Sequence, residues 1–174
     1  LAQADAGLEE LLADPLMLLE ALREAGNRVH VFVDAGGIAV PRTERAIYAM
    51  LEASVHPVRA PNKGAFHPKV WIARFLSEGT EPLIRVAVLS RNLTFDRSWD
   101  VALTSEARPG AGRRSSQARA LGDLLRAVMG HSLEPVPSHV MSKVQELADE
   151  VERTGFPAPE GFDGEISFEA LGLA

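Results

Sequence analysis

Three consecutive strand-like segments in the middle of the chain restrict its fold more than any other feature. They are HPKVWIARF at 67–75, LIRVAVLS at 83–90 and WDVALTSE at 99–106, each rich in β-branched or aromatic residues. The first two are joined by a short polar loop around SEGTE. Strands with so short a connection pair antiparallel, because a parallel pair needs a crossover of a dozen or more residues. A fully parallel doubly wound sheet therefore fits less well than a mixed one.

The segments around these strands have helical or strand periodicity. Helices are predicted over 8–25, 41–53, 115–129 and 138–154, and strands over 28–34 and 54–61. Asp14 is expected to cap the main part of the first helix, with Pro15 in its first turn. This order of elements predicts an α/β fold, with a mixed β-sheet flanked by helices on both faces.

Length and composition predict a single globular domain over 1–174. The chain has 174 residues, of which 46% are hydrophobic and 24% charged. No apolar run approaches the roughly 20 residues that cross a bilayer, and no signal peptide is recognised, so no membrane partner is expected. The chain does not begin with methionine and ends without a clear stop, which suggests a fragment of a longer protein.

The absence of cysteine limits the available chemistry. With no cysteine in the sequence, disulfides, thiolate zinc sites and a cysteine nucleophile are excluded. Histidine, carboxylate and hydroxyl chemistry remain, and a cytoplasmic location is expected.

The charge of the chain is uneven. A net charge of -6 argues against a uniformly basic nucleic-acid-binding protein. Residues 57–100, however, hold seven basic and four acidic residues. This positive stretch contains the two motifs that predict chemistry.

The two motifs together indicate a phosphate-binding site. His67 and Lys69 are two residues apart and are expected on the same face of a strand. The next strand would deliver Ser90 and Asn92 to the same place. An imidazole can attack phosphorus or transfer a proton, and a lysine can neutralise phosphate oxygens, without any metal or cofactor. A histidine nucleophile also needs an orienting carboxylate, for which Asp100 is the candidate.

The motifs resemble those of the phospholipase D superfamily. Its signature is His-x-Lys, then a strand ending in Gly/Ser-Ser-x-Asn, then an acidic residue on the next strand; this chain has FHPKVW, VLSRNLTFD and SWDVAL. The Asn-Leu-Thr wording is closer to the DNA-acting branches, which are the tyrosyl-DNA phosphodiesterases and the phospholipase-D-like nucleases of restriction and phage defence. The resemblance spans about 8–106 and is specific over 66–106. The helical segment 107–154 and the irregular tail 155–174 match nothing in that family.

The resemblance implies a role for each matched residue. His67 would form the phosphohistidine intermediate or act as general acid, and Lys69, Ser90 and Asn92 would bind phosphate. Asp100 matches, by position only, a glutamate that orients the histidine. The implied activity is a metal-independent phosphodiesterase or nuclease acting on nucleic acid, with DNA the expected partner, in restriction, defence or repair.

Basic and aromatic residues near the motifs leave two interpretations open. Lys63, Arg91 and Arg97 are candidates for nucleic-acid contacts, although a solvated surface role fits them as well. Trp71 and Trp99 are expected in the core rather than as base-stacking platforms.

Two departures from the family pattern limit the prediction. The strict signature has an aspartate where this chain has Arg74, and the family's active site needs two His-x-Lys motifs where this chain has one. The opposing motif would come from a homodimer partner or from the rest of the full-length chain. One alternative is therefore a catalytically inactive lobe that binds DNA or serves assembly, and another is a hydrolase of phospholipids or other small phosphodiesters.

Overall fold

The computed structural model describes residues 15–37, 51–92, 98–110, 115–164 and 166–172. Three sequence predictions fall outside these residues: the cap Asp14, most of the helix over 41–53, and the candidate contact Arg97. The fold is α/β, as the sequence predicts. Contacts divide the chain into two compact units: the first is Leu1–Phe66 with Ser132–Pro135, and the second is His67–His131 with Val136–Ala174.

The first unit contains a helix and a small parallel sheet. Helix α1 (Pro15–Gly26) is followed by strand β1 (Val31–Asp34) and strand β2 (Val55–Val58). The two strands pair in parallel, from Val31 opposite Val55 to Asp34 opposite Val58. The predicted crossover helix between them suits this pairing, and its last residues, 51 and 52, are helical.

The second unit contains a three-stranded antiparallel sheet. Its strands are β3 (Val70–Phe75), β4 (Leu83–Leu89) and β5 (Ala102–Ala107), with β4 in the centre. The hairpin predicted through SEGTE is confirmed, since β3 and β4 pair antiparallel. The described strands thus form two separate sheets, one parallel and one antiparallel, where the sequence predicted one mixed sheet.

Two helices cover one face of the antiparallel sheet. Helix α2 (Arg119–Gly130) and helix α3 (Ser138–Glu152) follow β5 in the second unit. The core joins Ile84 and Val86 to residues of the helices and the tail, among them Leu121, Val151 and Phe156. Alternation along β4 produces this arrangement, because side chains two apart share a face. In the described part of this unit, helices pack on that single face, whereas both faces were predicted to be covered.

Ion pairs join the helices to each other and to the sheet. On α2, Arg126 bonds to Asp149 at 2.6 Å and to Glu152, both on α3. Gly122 allows this close packing, since a Cβ atom there would lie 2.6 Å from Glu152 Cγ.

None of the described helices is long and apolar enough to cross a membrane.

Candidate functional site

The ends of all three strands of the antiparallel sheet are joined by backbone hydrogen bonds. The Leu89 amide donates to the Lys69 carbonyl at 2.8 Å, and the Ser90 amide donates to the Val101 carbonyl at 2.9 Å. Lys69 precedes β3, Ser90 follows β4 and Val101 precedes β5. The antiparallel pairing therefore brings the segments that carry the two motifs to one end of the sheet.

His67 and Lys69 are in direct contact and form the centre of this site. The Lys69 Nζ atom lies 2.8 Å from Nδ1 and 2.9 Å from Nε2 of His67, and 3.3 Å from its carbonyl oxygen. Since an ammonium group only donates, the contact requires a ring nitrogen without a proton as acceptor. We refer to these two side chains as the His67–Lys69 pair.

The pair lies just before β3 rather than within it. The strand begins at Val70, because Pro68 has no amide hydrogen to donate to a ladder. In the first unit, the amide of the preceding residue, Phe66, donates to the Asp34 carboxylate at 3.1 Å. That carboxylate also accepts from the Gly36 amide at 2.8 Å. Asp34, which the sequence analysis did not single out, thus holds the backbone immediately before His67.

Asp100 bonds to Ser90 and not to His67. The Ser90 hydroxyl donates to Asp100 Oδ1, and the Val101 amide donates to Ser90 Oγ at 3.0 Å. No hydrogen bond between Asp100 and His67 occurs within the described part of the chain. The reason is the strand order: Asp100 precedes β5 and His67 precedes β3, and neighbouring strands are about 4.8 Å apart, so β4 separates the two by about 10 Å. The carboxylate predicted to orient the imidazole instead fixes the end of the central strand.

The remaining candidate residues differ in their exposure to solvent. Asn92 is exposed, two residues after Ser90, and Arg91 between them is partly buried. Lys63 belongs to the first unit, where it ends a short 3-10 turn and is exposed. The structure does not describe Arg97.

Arg74, which occupies the position of the family's aspartate, is directed towards helix α3. Its guanidinium bonds to Glu146 at 2.8 Å and to Glu150 at 2.7 Å. The hydrogen bond with Glu150, which is buried, raises the pKa of Arg74 and keeps it charged. Arg74 therefore links strand β3 to helix α3 through these two ion pairs.

Both tryptophans are exposed, contrary to the core position expected for them. The exposed fraction is 48% for Trp71 and 99% for Trp99. Trp71 lies on β3 and Trp99 immediately precedes Asp100. The alternation of HPKVWIARF contained the signal for Trp71, since it places this residue on the face opposite Val70 and Ile72, which pack on the core.

Two other features of the molecule involve different residues. A shallow cavity of about 380 Å³ is lined by Arg85, Thr104, Ser105, Glu106, Pro157 and Ala158. In the first unit, His56 is buried in β2, with its ring 4.9 Å from that of Phe32 and Nε2 3.3 Å from Nδ1 of His30. Burial lowers the pKa of His56. Within the described residues, no group of three or more histidine, aspartate or glutamate side chains could hold a metal ion.

Comparison of the chain with protein-family models, with curated proteins and with solved structures gave no match. The interpretation of the site therefore depends on its geometry and on the motifs in the sequence.

Proposed function

We propose that the second unit is one half of a phospholipase-D-type active site, and that the protein is a metal-independent phosphodiesterase acting on nucleic acid. The observation that supports this most is the His67–Lys69 pair at the end of the sheet where Ser90 also lies. A nucleophilic nitrogen, a fixed positive charge and a hydroxyl at one place suit a phosphodiester, whose reaction requires attack at phosphorus and neutralisation of its oxygens.

The proposed reaction has two steps. In the first, an imidazole nitrogen of His67 bonds to phosphorus, the bond from phosphorus to the leaving oxygen breaks, and an opposing histidine protonates that oxygen. In the second, water attacks phosphorus, the bond to nitrogen breaks, and the opposing histidine takes the water's proton. Lys69 and Asn92 hold the non-bridging oxygens in both steps. The attack requires a ring nitrogen without a proton, as the contact with Lys69 does. Lys69 releases the lone pair of that nitrogen when its ammonium group turns to the phosphate oxygens.

The opposing histidine is the missing component of this scheme. None of His30, His56, His131 and His139 is followed two residues later by lysine. We propose that it is His67 of a second copy of the chain or a histidine in another part of the full-length protein.

Nucleic acid is the proposed substrate because positive charge is concentrated around the motifs. Residues 57–100 have seven basic and four acidic residues in a chain with a net charge of -6. Phosphate contacts supply most of the sequence-independent affinity for nucleic acid. Lys63, Arg91 and Arg97 are the proposed contacts.

The test is cleavage of labelled DNA in the presence of EDTA. The wild-type protein should cut, His67→Ala should lower the rate by at least about a hundredfold, and Lys69→Met should lower it by about a hundredfold or more because a preorganised charge at phosphate is lost. His139→Ala is the matched control, since this histidine is exposed on α3, and it should cut like the wild type. Cleavage that requires a divalent metal and survives His67→Ala would contradict the mechanism.

A second function, a lobe that binds DNA or supports assembly without cutting it, is favoured by one observation. Asp100 is engaged with Ser90, so the described residues give His67 no orienting carboxylate. Such a lobe would bind DNA with a salt-dependent affinity. The wild-type protein would not cleave that DNA, even at a raised protein concentration.

A further inference from the structure

The face of the antiparallel sheet opposite the helices continues from the His67–Lys69 pair to Trp71. The hydrogen bond from the Leu89 amide extends the pairing of β3 and β4 as far as Lys69. Side chains two apart along a strand share a face and are about 7 Å apart. Trp71 therefore lies next to Lys69 on the same side of the sheet. Its partner across the strand pair is Ala87, whose methyl group is too small to cover an indole.

The indole of Trp71 is half exposed and offers a flat surface to solvent. Phe75, on the same strand and face, provides the comparison: it is 46% exposed, close to the 48% of Trp71. The guanidinium of Arg85 lies 5.0 Å from the centre of the Phe75 ring. Within the described residues, no ring or cation lies over Trp71 in this way. The two rings are thus about equally exposed. The Phe75 ring has a cation over it, whereas Trp71, the ring nearer the His67–Lys69 pair, has none among the described residues.

A second exposed indole lies at the same end of the sheet. Trp99 is 99% exposed and adjoins Asp100, which bonds to Ser90. The exposed parts of these two large aromatic side chains lack the stabilisation that burial would supply. A ligand that covers the two rings would supply this stabilisation when it binds.

We infer that Trp71 stacks on a base next to the phosphate held by the His67–Lys69 pair, and that the substrate is single-stranded nucleic acid. The inference rests on the proposed function and narrows its substrate class. Bases in a duplex are already stacked on each other, so only unpaired bases can lie flat on a side chain. Every base has such a surface, so the contact selects strandedness and not sequence. Trp99 is a second platform for a neighbouring base.

Binding of defined oligonucleotides tests the inference. The probes are a labelled single-stranded oligothymidylate and a duplex of equal length, at one fixed salt concentration. The full chain carries His67→Ala in all cases, so that the proposed cleavage does not consume the probe. The single strand should bind more tightly than the duplex. Trp71→Leu should weaken single-strand binding between about fivefold and a hundredfold, because stacking contributes about 1–3 kcal/mol per base and 1.4 kcal/mol is tenfold.

Two further variants separate stacking from folding and from apolar area. Trp71→Phe retains a ring and should keep most of the affinity, whereas Trp71→Leu retains apolar area alone. Phe75→Leu removes an equally exposed ring that Arg85 covers, and should leave the affinity unchanged. Circular dichroism and the unfolding temperature show whether each variant is folded.

Several outcomes would overturn the inference. They are equal or tighter binding of the duplex, unchanged single-strand affinity in folded Trp71→Leu, and an equal loss in Phe75→Leu. Tryptophan-dependent binding to anionic lipid vesicles in place of oligonucleotides would assign the surface to a membrane. A dimer that Trp71→Leu converts to monomers would assign it to an interface between copies.

The two proposals can fail separately. Single-strand binding that depends on Trp71, in a protein that never cleaves DNA, would contradict the nuclease but support this inference. Cleavage that depends on His67 and is unaffected by Trp71→Leu, on single strands and duplexes alike, would contradict this inference alone.

Discussion

At the scale of single residues, His56 shows how burial changes what a histidine does. It lies in β2 on the same face as the buried Val58, and its ring packs against Phe32, so it is an internal side chain of the first unit. The group that faces it is the ring of His30, 3.3 Å away. Burial disfavours the charged imidazolium, which lowers the pKa of His56.

The lowered pKa predicts that the first unit loses stability in mild acid. As the pH falls below about 6.5, the unfolded chain takes up a proton at this histidine while the folded chain does not, so unfolding is favoured. The loss continues until the pH passes the lower pKa of the folded protein. The protection factors of the amides in β1 and β2, which correct for the slower intrinsic exchange in acid, should be lower at pH 5 than at pH 7.5. The unfolding temperature should fall by roughly a few degrees.

His56→Phe keeps a ring against Phe32 but cannot be protonated, so it should flatten the pH dependence of the protection factors in β1 and β2. His131→Phe, at an exposed position, should leave the dependence as it is in the wild type. An unaltered slope in His56→Phe would show that the acid sensitivity arises elsewhere.

At the scale of elements, local patterns predicted which helices and strands form but not where each of them begins. The five strands in the described part of the chain, and helices α2 and α3, were predicted because their apolar residues recur at the spacing of two or of three to four. The start of β3 was placed too early, at His67, because alternation does not show that Pro68 cannot join a ladder. The role of Arg74 was not predicted either, since it depends on Glu146 and Glu150, more than 70 residues away in sequence.

The packing of α2 on α3 predicts a strong effect of one methyl group. Gly122→Ala places a Cβ atom 2.6 Å from Glu152 Cγ, which is buried and bonded to Arg126. The carboxylate must move, so the free energy of unfolding should fall by about 1–3 kcal/mol. Urea titration of the wild type and the variant measures this difference.

Gly130→Ala is the matched control on the same helix, since nothing lies within 4 Å of its Cβ position. Alanine there should be neutral or should stabilise by about 0.5–1 kcal/mol. Equal effects of the two substitutions would mean that helix propensity, and not contact with Glu152, determines the result.

At the scale of the whole molecule, the sequence predicted the meeting of the motifs better than the arrangement around them. One hairpin was enough to bring Lys69 and Ser90 together, because antiparallel pairing fixes which strand ends meet. The separation of β1 and β2 into their own sheet, and the partner of Asp100, depend on the order of strands within a sheet. Periodicity along a chain contains no information on that order.

If the opposing histidine belongs to a second copy, inactive subunits should inhibit active ones. Wild-type and His67→Ala chains refolded together in equal amounts should retain about one quarter of the cleavage activity, because only dimers of two wild-type chains have both histidines. Retention of about half would mean that each chain completes its own site. Mixing the folded proteins without refolding is the control, provided that subunits do not exchange within the assay.

The hydrogen bonding between Ser90 and Val101 has a consequence for the sequence changes that this part of the fold can accept. Two hydrogen bonds, one in each direction, hold these residues together. The two ends of the connection between β4 and β5 are therefore already fixed to each other. The entropy of closing a loop grows slowly with its length, by about 0.6 kcal/mol for each doubling. Beyond Asn92, the connection is thus a place where evolution or engineering can exchange whole sequences, while the adjoining ends of β4 and β5 stay where they are.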